Sequence, residues 1–200
     1  MVDDDWKAIA RRRICQSIEH LSNSGKLDRE TWVARKLVGA LGVQFSEDEV
    51  RKAEEPADVA FRDARFQIKE ILDPHRKRVD EYRAELSRLD HATEPSDMYT
   101  QYEPSDLTMF AAAAIASERA AELVGKYGRV ERRGLDLVFY VNFLGVSVVD
   151  DGTPIRIIES PGFRSISLLA DGLVAVAWAD ESAPLFIRSN VGAVQSCKAN

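Results

Sequence analysis

The chain has 200 residues, 45% of them apolar and 30% charged, with a formal net charge of −6. That length can bury one sizeable core, and the acidic balance argues against a general nucleic-acid coat, whose affinity comes from clustered Lys and Arg. The opening MVDDDWKAIARRR lacks a signal-peptide run, and no segment approaches the roughly 18 apolar residues of a membrane span, so a cytoplasmic protein without membrane contact is expected.

Asp3 to Asp5 mark a helix start, and Trp6, Ile9, Ala10, Ile14, Cys15, Ile18 and Leu21 follow at helical spacing until the Ser-Asn-Ser-Gly stop at 22–25. Asp28 caps a second predicted helix carrying Trp32, Val33, Leu37, Val38 and Leu41, which Gly42 ends. Ser46 and Glu49 have capping-box spacing, which predicts a short third helix running to Pro56. From Asp58 to Leu72 the period changes to two, the mark of a β-hairpin. A charged helix is expected from about Pro74 to His91, then a polar loop over 92–105. Ser105 is placed as the cap of a long Ala-rich helix closing near Gly128. LDLVFYVNF (135–143) reads as the central strand of a covered sheet. Asp151-Gly152 and Asp171-Gly172 predict hairpins joining 146–149 to 154–158 and 165–170 to 173–179, and a last strand is expected over Leu185 to Ile187. Cys15 and Cys197 show no metal-ligand spacing and read as free thiols.

The expected fold class is α/β (α+β), as one domain over 1–200. N-terminal helices fill 3–55, a hairpin and helix fill 56–91, and a helix with a β-rich sheet fills 105–190.

The segment PADVAFRDARFQIKEIL carries the chemistry. A connection of even length centred on Asp63-Ala64 sets Asp58 opposite Lys69 and Ala60 opposite Gln67, all on one face. Val59, Phe61, Phe66, Ile68 and Leu72 then share the other face, interrupted only by Glu70. An acid, an amide oxygen and a lysine on one face suit metal-dependent phosphodiester hydrolysis. Asp58 can hold Mg²⁺ (or Mn²⁺), the Gln67 carbonyl can add a neutral ligand, and the Lys69 ammonium can orient nucleophile or phosphate. Asp58 and Lys69 alone would also fit a surface cross-strand ion pair.

Asp58, nine residues, then Gln67-Ile68-Lys69 is similar to the D…(D/E/Q)-x-K core of the PD-(D/E)XK, or restriction-endonuclease-like, superfamily. The longer string DVAFRDARFQIKEIL with its downstream DEYR helix resembles an uncharacterised bacterial family described as a putative endonuclease. Ala57 displaces the motif's proline by one residue, and Gln67 replaces the commoner carboxylate. The resemblance implies a restriction-endonuclease-like core with a catalytic hairpin, and hydrolysis of phosphodiester bonds in nucleic acid, DNA above all. It also implies a helical acid before the hairpin, for which Glu30 is the match; in that chemistry Glu30 or Glu70 is expected to assist. A first-turn Glu favoured by the helix dipole is the plainer reading of Glu30. Arg76, Lys77 and Arg78, just beyond the hairpin, are expected to contact nucleic acid, although the alternating charges of that helix equally describe a solvated face. The alternative in another class is a nuclease scaffold that binds nucleic acid or a partner without cleavage. The apolar C-terminal strands offer a surface for a homodimer.

Overall fold

A computed structural model describes residues 4–22, 24–74, 76–100, 103–156 and 161–197. It is a mixed α/β protein whose chain divides into two compact units, Met1–Arg29 with Leu72–Glu103, and Glu30–Ile71 with Pro104–Asn200. Both units are interleaved in sequence, so no single boundary separates them. No helix among the described residues is long and apolar enough to cross a membrane.

The first unit packs α1 (Asp4–Leu21) against α3 (Arg78–His91), burying Ile14 and Leu89 and pairing Arg11 with Asp90. Of the expected stripe on α1 only Ile14 is fully buried, and Cys15 is exposed. The charged helix starts at Arg78, four residues later than its sequence suggests, with Lys77 as its N-cap. Pro74 therefore initiates a turn and not the helix.

α2 (Lys26–Ala40), which belongs to the second unit from Glu30 on, begins two residues before Asp28, which lies in its first turn. It ends where Gly42 adopts φ +77°, letting Val43 N–H reach the Val38 carbonyl at 3.3 Å and Gly42 N–H the Gly39 carbonyl at 3.0 Å. This 6→1, 5→2 pattern satisfies the last carbonyls of the helix. The predicted third helix shrinks to one 3-10 turn, Glu47–Glu49, because the chain extends at once into β1 (Arg51–Lys52). Its cap is present: the Ser46 N–H donates to Glu49 Oε1 at 2.9 Å.

β1, β2 (Val59–Phe61) and β3 (Ala64–Leu72) form an antiparallel meander at one side of a seven-stranded sheet. Beside β3 lie, in order, β5 (Asp136–Asn142), β7 (Ser165–Ala170), β8 (Leu173–Ala179) and β9 (Val194–Ser196). β5 and β7 are parallel, while β7–β8–β9 is antiparallel. β3 runs with β5, since Arg65 bonds Asp136 near one end and Glu70 bonds Asn142 near the other. The Asp171-Gly172 turn, with φ values of 45° and 78°, pairs Ala170 with Leu173 as a two-residue hairpin should.

The chain departs from its sequence pattern in four further places. Ser105 does not cap the Ala-rich helix: Ser105–Thr108 is β4, and Thr108 Oγ1 accepts from Ala111 N–H to start α4 (Met109–Glu122). A short α5 (Arg129–Arg132) then precedes β5. β6 (Val146–Val149) pairs in parallel with β4 in a separate two-stranded sheet, and 154–156 is not strand, so the hairpin expected at Asp151-Gly152 does not form among the described residues. Residues 157–158 of that expectation lie outside the described residues. Leu185–Arg188 is a helical turn, α6, and not a strand; Pro184 directs the chain into it, and β9 takes the edge position instead.

Each face of the large sheet carries its own core. Ala112, Ala113, Ala116 and Ala120 of α4 let that helix approach Leu137, Phe139, Ile166 and Leu168 closely. On the other face Val33, Ala34, Leu37 and Val38 of α2 cover Val59, Phe61, Phe66, Ile68, Val138, Leu169, Val174 and Val176. Each large apolar side chain so buried contributes about 1.5–3 kcal/mol.

Candidate active site on the β2–β3 hairpin

The hairpin pairs Val59 with Phe66, Ala60 with Arg65 and Phe61 with Ala64, so its two-residue connection is Arg62-Asp63. The expected Asp58–Lys69 pairing is thus corrected by two residues, and Asp58 stands across from Gln67. Arg62 carries φ +50°, a conformation that ordinarily favours Gly or Asn. Its side chain is anchored: Nη2 donates to the Gln44 carbonyl at 2.9 Å, Nε to Glu49 Oε2 at 3.2 Å, and the guanidinium lies 4.8 Å over the Phe61 ring. These contacts offset the strain and fix the turn one residue earlier than composition suggests. Glu49 in turn is held below the usual carboxylate range, first by the Ser46 N–H and then by Arg62.

A shift of two preserves which side chains share a face. Val59, Phe61, Ala64, Phe66 and Ile68 are all buried in the α2-side core. Asp58, Gln67 and Lys69 alternate to the other side, toward Ile71 and the α4-side core. The chain bends at Asp58, whose N–H donates to the Phe66 carbonyl at 2.9 Å. Its carboxylate Oδ2 accepts the Ile68 N–H at 2.9 Å and the Gln67 Nε2–H. Gln67 is only 3% exposed, so its amide is oriented by this contact, and its Oε1 accepts no hydrogen bond among the described residues. Lys69 is half-buried, two residues further along the same face.

The other predicted residues stand elsewhere. Glu30 is half-buried near the start of α2, the helix that covers the opposite face. Glu70 also points to that opposite face and accepts from Asn142 Nδ2 at 2.8 Å. In the first unit, Arg76 is engaged within the protein, donating from Nε to Glu81 at 2.8 Å and lying 3.4 Å from Asp73, with its side chain 10% exposed. Lys77 is exposed and Arg78, the first residue of α3, is half-buried. Among the described residues no group of three or more His, Cys, Asp or Glu converges to hold a metal ion.

Sequence reasoning passed over Asp136. It is fully buried at the start of β5 and accepts from Arg65 N–H at 2.9 Å, Ser165 Oγ at 2.7 Å, and both Nε (3.1 Å) and Nη2 of Arg164. Arg164 Nη2 also donates to the Asp63 carbonyl at 2.9 Å. This knot ties the hairpin turn and β3 to β5 and β7. Its signal was an acid heading a run of otherwise apolar residues, which has to be paired if the run is buried.

One oriented carboxylate that accepts from a buried amide, on a sheet face that also carries a lysine, defines an α/β protein with a polar hairpin site. A family model described as "Putative endonuclease, protein of unknown function (DUF1780)" matches residues 3–199, and the chain belongs to that family. A solved structure of a protein of unknown function from Pseudomonas aeruginosa strain PAO1, described as "Monooxygenase Superfamily", is similar in fold. Its TM-score is 0.64 at 24% identity, covering 100% of this chain and 98% of that one. Comparison with curated proteins gives no match.

Proposed function

We propose that the chain is a metal-dependent endonuclease of the PD-(D/E)XK type acting on DNA, with its site on the β2–β3 hairpin. The observation that carries this reading is the direct Asp58–Gln67 contact on the face that also bears Lys69. The family's description as a putative endonuclease supports the same substrate class. The donor set fits a hard divalent cation, because Mg²⁺ commonly takes one or two protein oxygens and completes its shell with water and phosphate. Asp58 and Gln67 Oε1 would hold it. When bound, such an ion supplies Lewis acidity and a more acidic water. Lys69 positions the scissile phosphate and compensates its charge. The buried Asp136 knot ties β3 to β5 and β7 beneath these groups, and Glu30, which lies on the helix over the opposite face, has no part in this reading.

Cleavage of plasmid and single-stranded DNA with Mg²⁺ or Mn²⁺ tests this, with Asp58→Ala and Lys69→Ala as variants. Asp58→Ala also removes the acceptor of the Ile68 N–H, so Lys69→Ala is the cleaner control. Metal-dependent cutting lost in both variants is expected, and cutting that survives both refutes the assignment.

One observation favours a second reading. Asp58 already accepts two hydrogen bonds, one from the amide that would share the metal with it. A scaffold that binds nucleic acid without cutting would show DNA retention, no metal dependence and no product.

A further inference from the structure

A cavity of about 530 Å³ opens on the α2 side of the second unit, between the helix, the chain that follows it and Cys197. Its volume lies within the range of small-molecule sites. Its walls divide by chemistry. Gly39, Ala40, Val43 and Phe45 give an apolar wall, and Phe45 is fixed edge-on against the buried Phe61 with ring centroids 5.7 Å apart. Trp32 stands at the rim, 46% exposed, its ring set by an edge contact with Tyr140 at 5.6 Å. An indole so placed presents apolar surface to solvent, and its Nε1–H has no acceptor among the described residues.

Two cations complete the lining. Arg35 is tied to Glu47, through its carbonyl at 3.1 Å and its carboxylate at 3.4 Å, and the buried Arg35 Nε–H has no partner among the described residues. One helical residue on, the Lys36 ammonium makes no ion pair among the described residues. With Glu47 as the acid in the lining, the cavity carries a formal charge of +1 from Arg35, Lys36 and Glu47, in a chain whose net charge is −6. A flat aromatic rim, an apolar wall and a cation with no ion pair among the described residues complement a ligand that joins a planar ring to an anion.

We propose that this cavity binds a base-and-phosphate unit, the base against Trp32 and the apolar wall and the phosphate toward Lys36 and Arg35. The unit can be a free nucleotide or one residue of a single strand. The proposal does not depend on cleavage, since the cavity lies on the sheet face opposite Asp58 and Gln67.

The test titrates the full chain, in EDTA, with adenosine monophosphate, a short oligodeoxythymidylate and inorganic phosphate. It is followed by calorimetry and by iodoacetamide labelling of Cys197, which lines the cavity. Binding of the nucleotide or the oligonucleotide with protection of Cys197 is expected, phosphate alone binding far more weakly. Trp32→Ala and Lys36→Glu should each weaken binding by roughly tenfold or more, the lower range for loss of a base-stacking aromatic. Mononucleotide binding identifies a free nucleotide as the ligand, and binding of the oligonucleotide alone identifies a strand. Binding of neither, or affinity unchanged in Lys36→Glu with Cys197 unprotected, overturns the proposal.

Discussion

Replacing Gln67 by Glu sets a carboxylate where an amide now donates to Asp58. The substitution is nearly isosteric, so packing around this 3%-exposed side chain is kept and the change is electrostatic. Two unit charges about 4 Å apart repel by about 4 kcal/mol at an effective dielectric of about 20, and the partial exposure of Asp58 lowers this toward about 2 kcal/mol. Metal-free Gln67→Glu should therefore unfold in urea with a stability about 2–4 kcal/mol below wild type. Acid should recover part of the loss. Like charge raises the folded-state pKa of the pair, so protonation favours the folded form as pH falls and the penalty grows as pH rises. If the pair holds a divalent cation, Mg²⁺ or Mn²⁺ should restore stability to Gln67→Glu more strongly than to wild type, since the second carboxylate strengthens a hard-cation site. Urea midpoints with EDTA and with excess Mg²⁺ measure both effects. A variant as stable as wild type in EDTA would refute the contact, and a destabilised variant indifferent to metal would refute the ligand role.

Ile68→Ala should cost about 2–5 kcal/mol in urea denaturation, because Ile68 belongs to the α2-side core while Gln67 and Lys69 alternate away from it. Asp136→Ala should cost about 3–5 kcal/mol in the same assay, since it leaves the Arg164 guanidinium, the Ser165 hydroxyl and the Arg65 N–H without their acceptor. Burial pushes the Cys197 thiol above its ordinary value, with Lys36 opposing in part. Thiol labelling near neutral pH should thus reach exposed Cys15 first, and Cys197 should accelerate only as pH rises into the range where its thiolate forms. Lys36→Glu should delay that acceleration further.

The partition of faces in the hairpin was legible because it depends on the period of two in Val59, Phe61, Phe66 and Ile68, and burying these side chains forbids a slip by one. A slip by two leaves the same faces, so the pattern could not fix register. That was decided by Arg62, whose side chain is anchored to Gln44 and Glu49, a tertiary effect that local turn propensities do not contain. The Asp171-Gly172 hairpin and the β5 run read correctly because both signals are local. β6 was expected as a strand over 146–149, but β4 and the pairing between them were not, since that pairing is parallel and joins segments separated by the whole of α4. Leu185 to Ile187 looked like a strand because a short apolar run cannot by itself be told from a helical turn, here Leu185–Arg188. Asp58 and Gln67 were singled out by residue type and spacing, and the structure brings the two side chains into contact. The Asp136 knot was missed because its partners, Arg65, Arg164 and Ser165, are scattered along the sequence.

The order of strands also governs how the protein is made. β3 finishes at Leu72, but its sheet neighbour β5 begins only at Asp136, and the chain between them from Leu72 to Glu103 belongs to the other compact unit. During synthesis the meander therefore leaves the ribosome with one long edge unpaired, and waits many seconds at ordinary elongation rates for its partner. Loop closure adds little to the thermodynamic cost, because it grows only logarithmically with the intervening length. The cost falls on time: pairings between distant segments form slowly, and an open strand edge invites contact with other chains meanwhile. The charged side chains of Arg65, Lys69 and Glu70 along β3 are suited to keeping that edge soluble until Asp136 arrives to close it.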